Sequence, residues 1–340
     1  MADLQDGNKL VTLRDVARSV GVNVATASAV LNQTRSGTRV SEKTRTALLA
    51  AAQTMGYRPN EVARSLARRR TKLIGFFARF EFLSSRNAFL SELVGGMQEA
   101  ASLLEYDLVL HTVPEGTPVP RAVATLADRR VDGLLFFAPE EPALLPELRR
   151  TGLPIVCVVD HCPGSSSVTA DDFGGGARLA RHLAEKGHRR VLYRDWHLQV
   201  SSVVARREGF QSEARRRGMD VILGERVVNV HAPHFTEAEV ALLREERHPV
   251  TAVACWEDTT ASRTCEVLEG LGFEIPNRMA VTGFNGTQLA ELVRYPLTTI
   301  RAPWREVGAQ SVRRLLALVN DEPIPEWDTL PVEFLPGGTA

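Results

Sequence analysis

The stretch from Val11 to Leu73 packs helix starts and stops so closely that it admits little besides a bundle of short helices. Thr12 stands at an N-cap position with Asp15 three residues on, a loose capping box. Leu13, Val16, Ala17 and Val20 then share one helical face. Gly21 tolerates the positive φ that ends a helix. Asn23 caps a second helix over Val24 to Leu31. Ser41 caps a third, which is expected to turn Ala47, Leu48, Ala51 and Met55 inward and to end at Gly56. Two short helices joined by a glycine-containing turn describe a helix-turn-helix, whose second helix is the one suited to a major groove.

Beyond Gly56, Pro59 disfavours helical backbone before it, and Asn60 can cap a short helix from Glu61 to about Ala67. Two turns are too short to be stable alone in water. With Arg68-Arg69-Arg70 behind it, this helix is expected to fold only against another surface, and a polyanion suits it. The charge distribution agrees. The net charge of zero conceals 13 Lys/Arg against 5 Asp/Glu in residues 1–72, leaving 28 against 36 in the rest. A basic small module on an acidic larger one is the electrostatic footprint of a nucleic-acid-binding head.

From Leu73 the pattern changes to short apolar strands alternating with helices. Strands are expected at 73–77, 108–111, 131–137, 154–159, 190–193, 226–230, 250–255 and 280–284. Helices are expected at 88–104, 123–130, 142–150, 174–186, 204–217, 236–246, 259–271 and 304–320. Alternation of this kind implies parallel sheets built from right-handed crossovers. Two rounds of it give two α/β lobes with a cleft between them. The 340-residue length allows two to three domains.

The residues also carry a resemblance. Val11-Thr12-Leu13, Asp15-Val16-Ala17, Gly21-Val22, Val30-Leu31-Asn32, Val40-Ser41, Lys43-Thr44-Arg45, Gly56-Tyr57, Pro59-Asn60 and Ala63-Arg64-Ser65-Leu66 resemble the lactose-repressor (LacI/GalR) family of bacterial transcription regulators. In the second half, Val168-x-x-Asp171-Asp172-x-x-Gly175, Gly270-x-Gly272-Phe273-x-Ile275-Pro276, Val281-x-Gly283-Phe284 and Pro296-Leu297-Thr298-Thr299-Ile300 resemble that family's effector-binding core, itself similar to periplasmic sugar-binding proteins. The expected fold is an N-terminal all-α helix-turn-helix headpiece plus an α/β two-lobed periplasmic-binding-protein-like core. The expected boundaries are 10–58 for the headpiece, 59–72 for hinge helix and linker, 73–320 for the effector-binding and dimerisation core, and 321–340 for a C-terminal tail.

For the headpiece the resemblance implies base reading from the second helix through Val24, Ala25 and Ala29, with Asn23, Thr26 and Ser28 beside them. The family commonly carries Arg or a large polar residue where this chain has Ala29. Contact with thymine methyls is what small side chains offer instead. Thr12, Asn32, Thr44, Arg45 and Tyr57 are candidates for phosphate positioning, which sets register without reading sequence. Arg35 and Arg39, in the loop after the second helix, can add backbone contacts. In the hinge, Leu66 matches the family's minor-groove wedge, and Ala63 packs against the partner's hinge helix.

Ligands of two-lobed α/β proteins bind at the carboxyl ends of strands. That rule selects Phe77, Arg79 and Phe80, then Phe137 and Ala138, Asp160 and His161, Glu257 and Asp258, and Phe284 and Asn285. Arg206 matches the family arginine that holds effector hydroxyls or carboxylates, a task its planar donor fork suits. Glu257 stands where Asn is usual, and Asn285-Gly286 replace an acidic pair. Trp256 fits either stacking on a ligand ring or a place in the core.

The expected partners are double-stranded operator DNA, a small-molecule effector such as a sugar or related metabolite, and a second copy of the chain; no membrane partner is expected. A homodimer without a C-terminal tetramer zipper is expected, because residues 321–340 show no heptads. No cofactor, metal or enzymatic activity is expected. The cysteines lack zinc-site spacing, His231-x-x-His234 lacks further ligands, and Gly174-Gly175-Gly176 lacks the phosphate-binding spacing. The N-terminal residues lack a signal peptide's apolar core and no run reaches membrane-span length, so a cytoplasmic, nucleoid-associated protein is expected. A solute-binding protein without DNA function would account for the core but not the headpiece. A nucleotide-dependent α/β enzyme would need a glycine fingerprint that is not there.

Overall fold

The computed structural model of the chain describes residues 11–32, 40–60, 64–65, 68, 70–78, 87–114, 116–137, 143–287 and 296–340. The chain divides into two compact units between Lys72 and Leu73.

The first unit holds α1 (Leu13–Val20), α2 (Val24–Leu31) and α3 (Glu42–Thr54). Each begins where a side chain takes up an otherwise orphaned amide. Asp15 N–H donates to Thr12 Oγ1 at 3.3 Å while Thr12 N–H donates to Asp15 Oδ2 at 3.0 Å, a reciprocal capping box. Asn23 Oδ1 accepts from Thr26 N–H at 2.7 Å, and Ser41 Oγ accepts from Thr44 N–H at 3.2 Å. Gly21 closes α1 at φ 72°, where an L side chain would be strained. Val16, Ala17, Ala27, Val30, Leu48 and Ala52 meet in one core. Ala47, expected inside, is exposed; the inward stripe of α3 runs through Leu48, Ala52 and Met55 instead. Of the expected hinge helix, Arg64, Ser65 and Arg68 are helical, and Arg64 N–H donates to the Asn60 carbonyl at 3.0 Å. Ala63 and Leu66 lie outside the described residues, as do Arg35 and Arg39.

The second unit opens with β1 (Leu73–Ala78), α4 (Ala88–Leu103), β2 (Asp107–His111), α5 (Val119–Leu126), β3 (Gly133–Phe137), α6 (Leu144–Arg150), β4 (Ile155–Val158) and β5 (Ser166–Ala170). It continues with α7 (Asp172–Glu185), β6 (Arg190–Arg194), α8 (Ser201–Arg216), β7 (Asp220–Leu223), α9 (Glu237–Leu243), β8 (Ala252–Cys255), α10 (Asp258–Gly270) and β9 (Ala280–Thr282). It closes with β10 (Thr299–Arg301), α11 (Trp304–Val319), β11 (Trp327–Leu330) and β12 (Glu333–Leu335). One sheet runs β11-β5-β4-β3-β1-β2 and the other β7-β6-β8-β9, every pair parallel. The central strands β3, β4 and β8 are buried along their whole length, as strands covered by helices on both faces must be.

Two helix pairs, α4 with α11 and α7 with α8, approach closely enough that only glycine fits. A Cβ on Gly308 of α11 would sit 2.2 Å from the Leu93 carbonyl oxygen, and one on Gly176 of α7 would sit 2.1 Å from that of Arg206. The glycine run of α7 is therefore a packing device: Gly175 faces the Phe284 ring and Gly176 the backbone of α8.

Several expected elements differ. The strand placed at 226–230 is β7, residues 220–223, because the Asp220–Leu223 segment is what registers against Arg190–Tyr193; within 226–230 only Val227 makes a bridge, to Trp196. The helix placed at 123–130 is α5, started early by Pro118 and Pro120 at its first turn and ended before Ala127. Residues 321–340, expected as a tail, belong to the core. β11 adds the edge strand beside β5, and β12 pairs antiparallel with β10. Thr339 is fully buried and donates its hydroxyl to the Val281 carbonyl at 2.8 Å. The edge of a parallel sheet leaves a row of unpaired amides and carbonyls, and this segment satisfies them.

These contacts generate a stability prediction. Gly308→Ala should lower the urea midpoint, at a cost of about 1–3 kcal/mol, because the forced shift of two backbones outweighs alanine's helix preference. Gly270, the last residue of α10, has nothing within 4 Å of a built Cβ. Gly270→Ala should be neutral or stabilising. Equal midpoints for both variants would refute the close-packing account.

Candidate functional site

The first unit presents the start of α2 outward. Asn23, Val24 and Ala25 are exposed, while Thr26, Ser28 and Ala29 are half-buried on its flank. The Asn23 cap fixes the first turn, so these small side chains sit on a rigid rim with no long donor among them. Thr12 and Arg45 are exposed; the Thr12 hydroxyl donates to Asp15 at 2.6 Å, and Arg45 lies 3.7 Å from Glu42. Thr44 shares a 2.8 Å hydrogen bond with the Ser41 hydroxyl. Tyr57 packs against the headpiece core, and burial pushes its phenol up. Asn32 differs from the expectation. It is buried, its Nδ2 donates to Ser28 Oγ at 3.1 Å, and its carbonyl accepts from Arg68 at 2.9 Å. It finishes α2 rather than presenting a free surface donor. Arg14, Arg18 and Lys43 are further exposed cations on this unit, not among the expected contact residues.

In the second unit a cavity of about 220 Å³ lies where carboxyl ends of strands from both sheets converge. Its walls include Phe137 after β3, Val159 and Asp160 after β4, Trp196 after β6, and Trp256-Glu257-Asp258 after β8. Asn285, Arg206 and the first turn of α8 complete it. Six of the proposed residues are thus brought together with Asn285: Phe137, Asp160, Arg206, Trp256, Glu257 and Asp258. Phe77 is not among them. It points to the other face of the first sheet, with its ring 5.7 Å from that of Phe136. His161 turns away to stack on Trp327 at 4.3 Å. Arg79, Phe80 and Ala138 lie outside the described residues.

Arg206 is the fulcrum of the wall. Its Nε donates to Asp172 Oδ1 at 2.7 Å, its Nη1 donates to the Trp256 carbonyl at 3.0 Å, and its guanidinium carbon lies 3.9 Å from the Phe284 ring centroid. Asp160 sits on the amino end of α8, accepting from Ser202 N–H at 2.8 Å and Ser201 Oγ at 3.0 Å. A carboxylate is favoured there by the helix dipole. Glu257, where the family commonly has Asn, is the N-cap of α10 and accepts from Thr259 N–H at 2.8 Å and Thr260 Oγ1 at 2.7 Å. Asp258 accepts from Gly286 N–H at 2.7 Å and Thr299 Oγ1 at 2.5 Å. Asn285 takes φ 114°, a strained value for a residue with a side chain, and is pinned there by backbone bonds to Ile300 and Ala302. Strain of this kind clusters at ligand sites.

Burial raises all three carboxyls nearest the guanidinium. Asp160 is raised although two α8 donors oppose the shift. Asp172 is pushed up to about 6, and Asp258 to about 8, where Glu257 adds to the effect. At neutral pH Asp258 is therefore largely protonated, and the cleft carries less negative charge than its carboxyl count suggests.

Trp196 and Trp256 stack with centroids 4.8 Å apart and planes 2° from parallel. The Trp256 indole N–H is buried without a hydrogen-bond partner among the described residues. Trp256 is thus cleft wall as well as packed ring. The motif reading missed Trp196, Ser202, Phe89 and His231. Trp196 was reachable, lying just past the end of a strand; His231 had no signal beyond its rejected metal spacing. Among the described residues no group of three or more His, Cys, Asp or Glu could hold a metal.

Two family profiles match the chain: "Bacterial regulatory proteins, lacI family" over residues 12–60 and "Periplasmic binding protein-like domain" over residues 180–339. The HTH-type transcriptional repressor PurR of Photobacterium profundum is 30% identical over 325 residues, covering 92% of this chain and 93% of that one. The HTH-type transcriptional regulator GalR of Escherichia coli is 28% identical over 323 residues, covering 93% and 92%. Among solved structures, the lac repressor dimer bound to operator and the anti-inducer ONPF superposes with a TM-score of 0.81 at 26% identity, covering 97% of this chain and 99% of that one. A complex of the transcriptional regulator CelR with cellobiose superposes at 0.69 and 27% identity, covering 97% and 100%.

The raised carboxyls yield a pH prediction. A carboxyl with a folded-state pKa above its unfolded value stabilises the fold fully below the unfolded pKa, and loses that contribution as the pH climbs through the folded one. Folding stability should therefore fall from about pH 4 upward, Asp172 giving out near 6 and Asp258 near 8. In Asp258→Asn the amide can still donate to Thr299 and accept from Gly286. That variant should decline less steeply up to about 6, where Asp172 gives out, and lose the part between 6 and 8. Urea titrations at fixed pH read this out, and an unchanged upper limb would refute the assignment.

Proposed function

The chain belongs to the lacI family of bacterial regulatory proteins, and on that premise we propose which residues perform the regulation. The protein is a ligand-responsive, sequence-specific DNA-binding transcription regulator of the repressor type, not an enzyme. It acts as a dimer on operator DNA, with a small molecule in the core. The observation that carries the residue assignment is the capped, outward-facing first turn of α2 on a basic unit.

In this reading α2 enters the major groove. Val24, Ala25 and Ala29 meet thymine methyls, and Asn23, Thr26 and Ser28 border them. Thr12, Thr44, Arg45 and Tyr57 contact phosphates, joined by Arg35 and Arg39. Leu66 wedges into the minor groove at the operator centre, and Ala63 packs the two hinge helices together; the sequence match around Asn60 to Leu66 supports both roles. The protein works in the cytoplasm, at the nucleoid. Its effector binds among Phe137, Trp196, Trp256, Asp160 and Arg206. The supporting feature is a cleft whose charged groups are already paired and whose lining includes the aromatic side chains of Phe137, Trp196 and Trp256. A ligand that binds one arrangement of the lobes better than the other biases DNA binding, and DNA biases ligand affinity by the same factor.

Selection from a random duplex pool should return a two-fold symmetric sequence, since dimeric readers mirror their symmetry in half-sites. Its affinity should fall with salt at a log–log slope of roughly −0.9 per phosphate contacted. Leu66→Ala should weaken operator binding by tenfold or more, a loss of about 1.4 kcal/mol or more, with the thermal transition of the core unchanged. A flat salt titration would remove the headpiece assignment, and equal operator affinity in a gel shift would remove the wedge.

A further inference from the structure

The segment linking β4 to β5 carries Asp160 into the cleft and, two residues later, packs Cys162 against the apolar cluster that contains Cys157 of β4. The Cys162 N–H donates to Ser167 Oγ at 3.1 Å, and Ser167 is the residue that registers beside Cys157 in the sheet, so the two cysteines flank one serine; the Cys162 thiol donates to the Asp160 carbonyl at 3.8 Å. Cys157 is fully buried, whereas Cys162 is half-buried. Arg149 of α6 stands over the pair, held by its Nε donating to Ser165 Oγ at 2.7 Å and its Nη2 donating to the Pro163 carbonyl at 2.6 Å. The neighbouring Cys157 thiol, with the Arg149 charge assisting, holds the Cys162 thiol below its ordinary range against the opposing effects of burial and Asp160. The same contact pushes Cys157 up. The asymmetry provides an accessible nucleophile and a protonated partner within reach. The other two cysteines offer a contrast. Cys255 and Cys265 are buried in the second lobe, and burial raises both, Cys255 to about 12.

We propose that Cys157 and Cys162 are a reversible dithiol–disulfide pair, oxidised by hydroperoxides, that couples thiol redox state to the effector cleft. The Cys162 thiolate attacks the terminal oxygen of the hydroperoxide. The O–O bond breaks, an alcohol or water leaves, and Cys162 becomes a sulfenic acid. Cys157 sulfur then attacks the Cys162 sulfur; the S–S bond forms, and the hydroxyl departs as water with the Cys157 proton. Two electrons pass from the thiols to the peroxide. Bonded sulfurs must lie at about 2.05 Å, closer than two unbonded thiols can approach. Closing the bond therefore draws in the segment that carries Asp160, whose carboxylate caps Ser202 at the start of α8. The coupling to the cleft rests on the effector site proposed above; the crosslink itself does not.

The test uses the reduced full-length protein, hydrogen peroxide and non-reducing tryptic mapping. Both cysteines fall in one peptide, residues 151–178, which should become two hydrogens lighter and recover its mass with dithiothreitol. The Cys255 and Cys265 peptides should stay unmodified. Cys157→Ser should accumulate a dimedone-reactive sulfenic acid at Cys162. Arg149→Met should slow crosslinking several-fold, and Cys162→Ser should abolish it. Oxidation of wild-type Cys162 to sulfinic acid without a crosslink, or oxidation of Cys255 and Cys265 before this pair, would overturn the proposal. Hydrogen exchange of the 201–206 amides should quicken in the oxidised form. Unchanged exchange beside an intact crosslink would overturn the coupling to the cleft and leave the thiol pair standing.

Discussion

The ion pair between Arg206 and Asp172 is buried on both sides, with each side chain about 5% exposed. Two charges taken this far from water repay their desolvation only when geometry and extra hydrogen bonds are good. Here the guanidinium also donates to the Trp256 carbonyl and lies over the Phe284 ring, so four segments meet at one cation. These are the starts of α7 and α10, the second turn of α8, and the strand end carrying Phe284. Removing either partner would strand the other charge in the cleft wall, and such losses cost about 3–5 kcal/mol. The same interaction fixes the direction of the Trp256 backbone and hence the plane of the tryptophan stack. The cleft owes its shape to an ion pair of which Arg206 lines the cavity and Asp172 does not.

That arrangement requires α7 and α8 to lie almost backbone to backbone. Gly176 and Gly209 permit it, each standing where a methyl group would overlap a carbonyl oxygen of the opposite helix. Trp196, Trp256, Asp160 and Glu257 thus sit on short connections at strand ends that this close helix packing and the Arg206 bonds hold in place. Asp160 on the α8 amino end and Glu257 on the α10 amino end do double duty, as helix caps and as cleft lining. A ligand contacting either one also touches the end of a helix, which makes small displacements in the cleft mechanically consequential elsewhere in the core.

The headpiece is built on a different economy of forces. Its core is six small or medium apolar side chains, and each of its helices is started by a side chain no more than three residues from the amide it caps. Such a unit presents a stiff rim without large anchors on α2. Under the proposed docking of α2, small residues there would shift the source of affinity toward phosphate contacts, and the reading of bases toward methyl groups and groove shape.

The sequence alone determined what depends on neighbours along the chain. Thr12 with Asp15, Asn23, Ser41 and Gly21 act over at most four residues, so the helix-turn-helix could be read from spacing, and strand–helix alternation revealed the parallel α/β core in the same way. The strand-end rule also brought part of the cleft into view, through Phe137, Asp160, Glu257, Asp258 and Asn285. Tertiary structure decided the rest. Strands buried on both faces carry no alternation to say which side chains meet the cleft, so Phe77 and Phe137 looked equivalent and were not. Asp220–Leu223 is a strand because β6 offers it a register, and residues 327–335 join the core because two sheet edges needed partners. The Trp196–Trp256 stack and the Arg206–Asp172 pair join residues distant along the chain. Only the packed fold brings such groups together, and no local pattern records them.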